Sequence, residues 1–290
     1  MSLIQVDNNS CLKCGLCIEA CPGNIMHKDA IGGFAAVQHE ELCVSCGQCV
    51  AICPDDVISH KNFLGGSLES IDKEKSLTAE QVFNLIKTRR SIRSFKDMPV
   101  EKEKIEKIIE AACYAPNAHN HQSTEYIVIR NKDVLDEISK YTAEYLKDLV
   151  NTFKSATVRK TAGFFVPGVI KDLFSMLEDF NKVAEAYSHG KDLILRDCPA
   201  LIVFHGSDRI GFSDVNASLA LQNATYMAQG LELGSFYCGY VVATAQRTKN
   251  INKLLGLPKH NKILGALAIG HPNIKHKRWI ERKTPKTIWL

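Results

Sequence analysis

The sequence predicts an α+β fold, a mixed sheet flanked by helices, standing behind a small cysteine-rich module. Three observations predict it. Eight of the eleven cysteines fall within the first 53 of 290 residues. A Gly65-Gly66-Ser67 step and a charged run to Lys75 then break the apolar pattern, as a connector does. Beyond it, the order of periodicities is helix, helix, strand, long helical region, strand, helix, strand, helix, strand. The length accommodates one medium domain with its own core and one small module. The expected division is 1–64 for the module, 65–77 for the connector and 78–290 for the larger domain.

Within the module, Cys11, Cys14, Cys17 and Cys21 form C-x-x-C-x-x-C-x-x-x-C with Pro22 behind, and Cys43, Cys46, Cys49 and Cys53 repeat it with Pro54 behind. The repeat is an internal duplication. Thiolates are soft ligands suited to iron–sulfur clusters, and the two-residue gaps let one tight turn present three sulfurs while the fourth points elsewhere. A zinc site would use cysteine pairs separated by a longer gap and would leave the third cysteine of each run without a purpose. A disulfide framework fits poorly with two identical runs in a chain that carries no secretory pattern in Met1 to Ser10. Gly15 and Gly47, one residue after the second cysteine of each run, are expected where the backbone turns back toward the sulfurs.

These runs resemble bacterial-type ferredoxins with two 4Fe–4S clusters. The resemblance implies crossed ligation, with Cys11, Cys14, Cys17 and Cys53 at one cluster and Cys43, Cys46, Cys49 and Cys21 at the other. Such cross-links matter in about 60 residues with little apolar surface, so cluster binding and folding are expected to be coupled.

Composition excludes several classes. Hydrophobic residues make up 45% and charged residues 23%, and no apolar stretch reaches the roughly 18 residues of a membrane span. A formal charge of +4 with scattered lysines is not a nucleic-acid footprint. A soluble, cytoplasmic protein is expected, with neither nucleic acid nor membrane as partner.

In the larger domain, Thr78 followed by Gln81 is a capping-box pattern, and Val82, Phe83, Leu85 and Ile86 give the helix behind it an apolar face. Ile105, Ile108, Ile109 and Ala112 mark a second helix that stops before Ala115-Pro116-Asn117. Strands are expected at Tyr126 to Arg130, Ala200 to Phe204, Ser235 to Val241 and Ile263 to Ile269. Asp214 to Leu233 reads as the central helix. Residues 141–190, with breaks at Gly163 and Pro167-Gly168, read as a region that could serve as a lid. Cys113, Cys198 and Cys238 lack ligand spacing and read as small core residues.

Thr88-Arg89-Arg90-Ser91-Ile92-Arg93-Ser94-Phe95 ends the first helix in a basic cluster, which by itself often marks a solvated helix end. It also resembles the R-R-S-x-R segment of the FMN-dependent nitroreductase family. Ala115 to Ser123 is similar to that family's A-P-S-x-x-N-x-Q-P segment, with asparagine in place of serine at 117 and serine in place of proline at 123. Gly230 to Tyr240 resembles its G-L-G-S/T segment, and Gly270-His271-Pro272 its G-Y-P. The resemblance spans roughly 78–290 and implies FMN binding by Arg89, Arg90, Ser91 and Arg93, by Pro116, Asn117, Asn120 and Gln122, and by Cys238 and Gly239. Arg278, Arg282 and Lys283 are the basic residues offered to the phosphate. Guanidinium forks suit a phosphate or a flavin carbonyl, and positive charge favours reduced flavin.

No catalytic residue is singled out. His119 and His121 flank Asn120 and read as structural or solvated ahead of proton donors. The joint resemblance implies an iron–sulfur flavoprotein oxidoreductase, homodimeric with FMN at the subunit interface. It would relay electrons from reduced ferredoxin or NAD(P)H to a nitroaromatic, quinone or similar small acceptor. No Gly-x-Gly-x-x-Gly follows a strand, so NAD(P)H would dock directly over the flavin. Two readings of other classes stand beside it: an electron-transfer protein serving a protein partner, and a redox sensor.

Overall fold

The computed structural model describes residues 2–63, 70–154 and 167–290, the side chains of 167–175 excepted. The chain divides into two compact units: residues 1–77 with 118–121, and residues 78–117 with 122–290. The unexpected member of the first unit is the short segment Ala118–His121.

The first unit is built twice over. β1 (Ile4–Val6) pairs antiparallel with β4 (Ile58–His60), and β2 (Met26–Lys28) with β3 (Ala35–Val37). Each cysteine run feeds a one-turn helix, α1 (Leu16–Glu19) or α2 (Gln48–Ala51). The duplication extends to the backbone: Lys13 and Ser45, Gly15 and Gly47, Asn24 and Asp56 all have positive φ, each pair 32 residues apart. Gly15 (φ +81°) and Gly47 (φ +74°) cap α1 and α2 in the left-handed region, which glycine enters without the Cβ penalty. The core is small: Ile4, Ile25, Met26, Val50 and Ile58, with Cys17 and Cys49 buried among them.

The second unit is a helix–sheet–helix sandwich. Its sheet runs β5 (Glu125–Ile129), β6 (Ala200–Ser207), β8 (Asn261–Gly270), β7 (Gly234–Tyr237), every neighbouring pair antiparallel. Among the described residues a parallel contribution comes from Ser91, outside the named strands, which bridges Ser235 of β7. β6 and β8 are apolar almost throughout because both faces are covered. α3 (Ala79–Thr88) starts on the expected capping box, with Thr78 and Gln81 bonding each other's backbone N–H. α4 (Lys102–Cys113) buries Ile105, Ile108 and Ala112 against one sheet face. α7 (Ser213–Gly230) approaches the same face closely because Ala217, Ala220, Ala224 and Ala228 keep its inner stripe small.

Across the sheet lie α5 (Lys132–Lys154), α6 (Pro167–Ser188), α8 (Gly239–Arg247) and α9 (Asn250–Leu254), over a core containing Ile138, Leu146, Phe180, Val241 and Ile251. Two expectations are corrected here. Val241 lies in α8, not in a strand: β7 stops at Tyr237, and Val241, Val242 and Ala245 face the core at helical spacing. Cys113 is exposed, whereas Cys198 and Cys238 are buried as expected. The region read as a lid falls partly outside the described residues: Gly163, Phe164 and Phe165 do, while Pro167-Gly168 opens α6. Among the described residues no helix is long and apolar enough to cross a membrane.

Candidate cofactor sites

The eight cysteines of the first unit line two separate cavities. One is bounded by Cys11, Cys14, Cys17 and Cys53, the other by Cys43, Cys46, Cys49 and Cys21. In each, three sulfurs come from one run and the fourth from the end of the other. The first three are gathered locally: the left-handed glycine follows the second cysteine and caps the one-turn helix that carries the third inward. Burial pushes the Cys17 thiol up and the Cys49 thiol up to about 11, so a bound metal must displace protons there. Among the described residues no three His, Cys, Asp or Glu side chains converge to hold one metal ion. The sulfurs surround a volume rather than a point, which fits a cuboidal cluster and its soft-ligand chemistry better than zinc.

Around the second cavity the contacts are denser. The backbone N–H of Ser45 donates to Cys43 Sγ at 3.4 Å, and His60 Nε2 lies 3.6 Å from the same sulfur. Asn120 belongs to this unit, and its Nδ2 donates to the carbonyls of Val44 (3.3 Å) and Ser45 (2.7 Å). His119 and His121 are exposed, their rings 5.7 Å apart.

In the second unit a cavity of about 830 Å³ opens between α5, α6, β7 and α8. Of the residues expected at the flavin, it gathers Arg93, Cys238 and Gly239. The segment through Arg93 is stitched to β7: Ile92 N donates to Ser235 O at 2.9 Å. A Cβ on Gly234 would sit 2.7 Å from Ile92 Cγ2, so only glycine admits this crossing. The Arg93 guanidinium carbon stands 5.6 Å from the Phe236 ring centroid, within cation–π range. Burial pushes the Cys238 thiol up to about 12, and it donates to Phe236 O at 3.7 Å, so it presents a neutral thiol rather than a nucleophile.

The remaining expected residues lie elsewhere. Asn117 and Gln122 line a smaller hollow, where Gln122 N donates to Asn117 Oδ1 at 2.9 Å. Arg89 and Arg90 follow the end of α3 half-buried, Ser91 bridges Ser235, and Pro116 is exposed. Arg278, Arg282 and Lys283 are exposed in the extended stretch after β8. The cavity adds residues that sequence reasoning missed. Arg196 and Arg247 line it with Arg93, and Tyr145, Phe180 and Tyr240 form part of its wall. No motif marks Arg196 or Arg247; the fold alone assembles them.

An α+β sandwich with a cationic, aromatic-walled cavity, joined in one chain to a module with two four-cysteine cavities, defines the class: an iron–sulfur flavoprotein oxidoreductase. The comparisons agree. The nitroreductase family matches residues 86–271, and a 4Fe–4S dicluster domain matches residues 10–58. The chain belongs to the nitroreductase family of FMN-dependent oxidoreductases. It is 28% identical over 192 residues to the FMN reductase (NAD(P)H) of Bacillus subtilis, covering 66% of each chain. Its fold is similar to that of an FMN-bound nitroreductase of Desulfitobacterium hafniense DCB-2, with TM-score 0.54 and 22% identity over 72% of this chain and 97% of that one. A nitroreductase of Bacteroides fragilis with bound FMN gives TM-score 0.52 and 18% identity, over 72% and 98%.

Proposed function

We propose that the protein relays electrons from a donor, through two 4Fe–4S clusters, to FMN and on to a nitroaromatic, quinone or similar electron-poor small molecule. The observation that carries this reading is the sorting of eight cysteines into two four-sulfur cavities in a chain that also holds the Arg93–Cys238–Gly239 cavity. Cys11, Cys14, Cys17 and Cys53 would hold one cluster, and Cys43, Cys46, Cys49 and Cys21 the other. FMN, when bound, supplies hydride or single electrons.

The chain's own residues do the rest. Arg93 brings positive charge to the cavity, with no acid among its described lining residues, which favours an anionic, electron-rich ring. Leu146, Phe180, Phe236 and Tyr240 keep water from the reacting face. Gly239, at the start of α8, sets its bare backbone against the Tyr237 ring, whose Cε1 would stand 3.3 Å from a Cβ there. Arg89, Arg90, Ser91, Pro116, Asn117, Asn120, Gln122, Arg278, Arg282 and Lys283 complete the proposed flavin set in a homodimer, where each site draws residues from both subunits. Reduced ferredoxin or NAD(P)H is the proposed donor, and the cytoplasm, which keeps thiols reduced, the proposed compartment.

The test is anaerobic purification with iron, sulfide and flavin analysis, followed by single-turnover reduction with reduced ferredoxin and with NADPH. About eight irons and one FMN per chain are expected, and the faster donor identifies the entry point. Four irons or fewer, or no flavin, would overturn the relay; equally slow reduction of every small acceptor would transfer the case to a protein partner.

A further inference from the structure

Because the two halves of the first unit repeat at 32 residues, each position near one cavity has a twin near the other. His60 is the twin of Lys28: both end a strand, β4 and β2 respectively. They differ sharply. Lys28 is exposed, and among the described residues no side chain donates to the sulfur of Cys11. His60 is 2% exposed, and its Nε2 lies 3.6 Å from Cys43 Sγ.

The tautomer follows from the other ring nitrogen. The backbone N–H of Asn62 donates to His60 Nδ1 at 3.1 Å, so Nδ1 carries a lone pair. In a neutral ring the single proton is then on Nε2, the atom that faces the sulfur. The ring is held in place. Phe63 packs on it at 4.7 Å between centroids with a 44° tilt, and Asn62 Nδ2 donates to Ser45 Oγ at 2.9 Å. Cys43 Sγ thus receives two N–H groups, from Ser45 and from His60.

We propose that His60 is a positioning residue that hydrogen-bonds the Cys43 sulfur and raises the reduction potential of the cluster held by Cys21, Cys43, Cys46 and Cys49 above that of its twin. The inference rests on the two-cluster reading. Reduction adds negative charge that spreads onto the cluster's sulfurs, and an N–H donor stabilises the more negative state more. One electron is gained by the cluster and none by His60; no proton moves. The consequence is two inequivalent clusters in a module whose ligand spacing is symmetric, with the better electron acceptor on the His60 side.

The experiment is an EPR-monitored redox titration of the anaerobic full-length holoprotein, wild type against His60→Phe and His60→Gln, with iron counted in each. His60→Phe keeps a ring and removes the donor; one potential is expected to fall by about tenfold in the reduction equilibrium, ~59 mV for a one-electron couple, while the other stays. His60→Gln, which restores an N–H, is expected to recover most of the shift. Unchanged potentials with eight irons present, an equal shift of both, or a glutamine variant as displaced as the phenylalanine one would overturn the inference. Wild-type protein with four irons would instead sink the two-cluster reading. Should His60→Phe lose iron, pulsed EPR of wild type grown with 15N-histidine decides: a histidine nitrogen coupled to a reduced cluster supports the assignment, and no coupling overturns it.

Discussion

Asn120 Nδ2 donates to the Ser45 carbonyl at 2.7 Å, and Ser45 stands between Cys43 and Cys46. The asparagine that family resemblance assigns to flavin therefore steadies a turn bearing two cysteine sulfurs. Asn120→Ala removes a bond to Val44 O as well as to Ser45 O. With about 1 kcal/mol for each of the two bonds, chelators should strip iron from the variant roughly thirtyfold faster. Iron release followed at the cluster absorbance, with FMN content alongside, checks this; unchanged iron release with lost FMN would return Asn120 to the flavin alone.

Arg93 is the expected flavin residue whose side chain reaches both the large cavity and Phe236. Arg93→Ala should weaken FMN retention by about tenfold, the order of one charged hydrogen bond, and leave the brown cluster absorbance intact. Fluorescence of released flavin measures the first, and the visible spectrum the second. Joint loss of both cofactors would contradict their separate housing.

Ile92 blocks any side chain at Gly234, where a Cβ would meet its Cβ at 2.8 Å and its Cγ2 at 2.7 Å. Gly234→Ala is expected to cost about 1–3 kcal/mol as an overpacked contact, seen as a lower Tm. Because the same crossing positions Arg93, FMN affinity should fall with it. A variant as stable as the wild type would mean that the segment yields easily.

His205 offers a pH test. It is 5% exposed on β6, Asn261 Nδ2 donates to its Nδ1 at 3.0 Å, and Glu125 Oε2 lies 3.7 Å away. Burial lowers its pKa, against the partial opposition of Glu125. The folded chain therefore resists a proton that the unfolded chain accepts near pH 6.5. The stability tied to this group is full above that value and is lost as pH falls through the lower folded pKa. Tm measured from pH 7.5 to 5 should drop less steeply in His205→Gln than in the wild type.

Local chemistry was legible wherever the signal was itself local. The Thr78–Gln81 box, the i, i+3, i+4, i+7 face of α4 and the turning glycines at 15 and 47 each depend on neighbours a few residues away. Ser235 to Val241 reads as one strand because branched and aromatic residues favour sheets, yet from Gly239 the chain is helical, and Val241 lies in a core shared with Ile138 and Ala266. Arg196 and Arg247 carried no signal at all, since 51 residues separate them and only α8 and the loop before β6 bring both to one cavity. Asn120 was legible as a special residue but not its bond to Ser45, which lies 75 residues back.

The exchange of the last cysteine between runs changes how the small module can fail. Cys21 and Cys53 each stand at the wall of the cavity belonging to the opposite repeat. A lesion in one repeat is thus never confined to it: oxidation of Cys53 opens the first cavity, and the loosened chain end is the one that anchors Cys49 and its neighbours in the second. Duplication would ordinarily provide a spare. On the proposed two-cluster reading it makes the halves hostages to each other, so the module should exist as fully assembled or not at all, with no half-loaded form surviving to leak single electrons to oxygen.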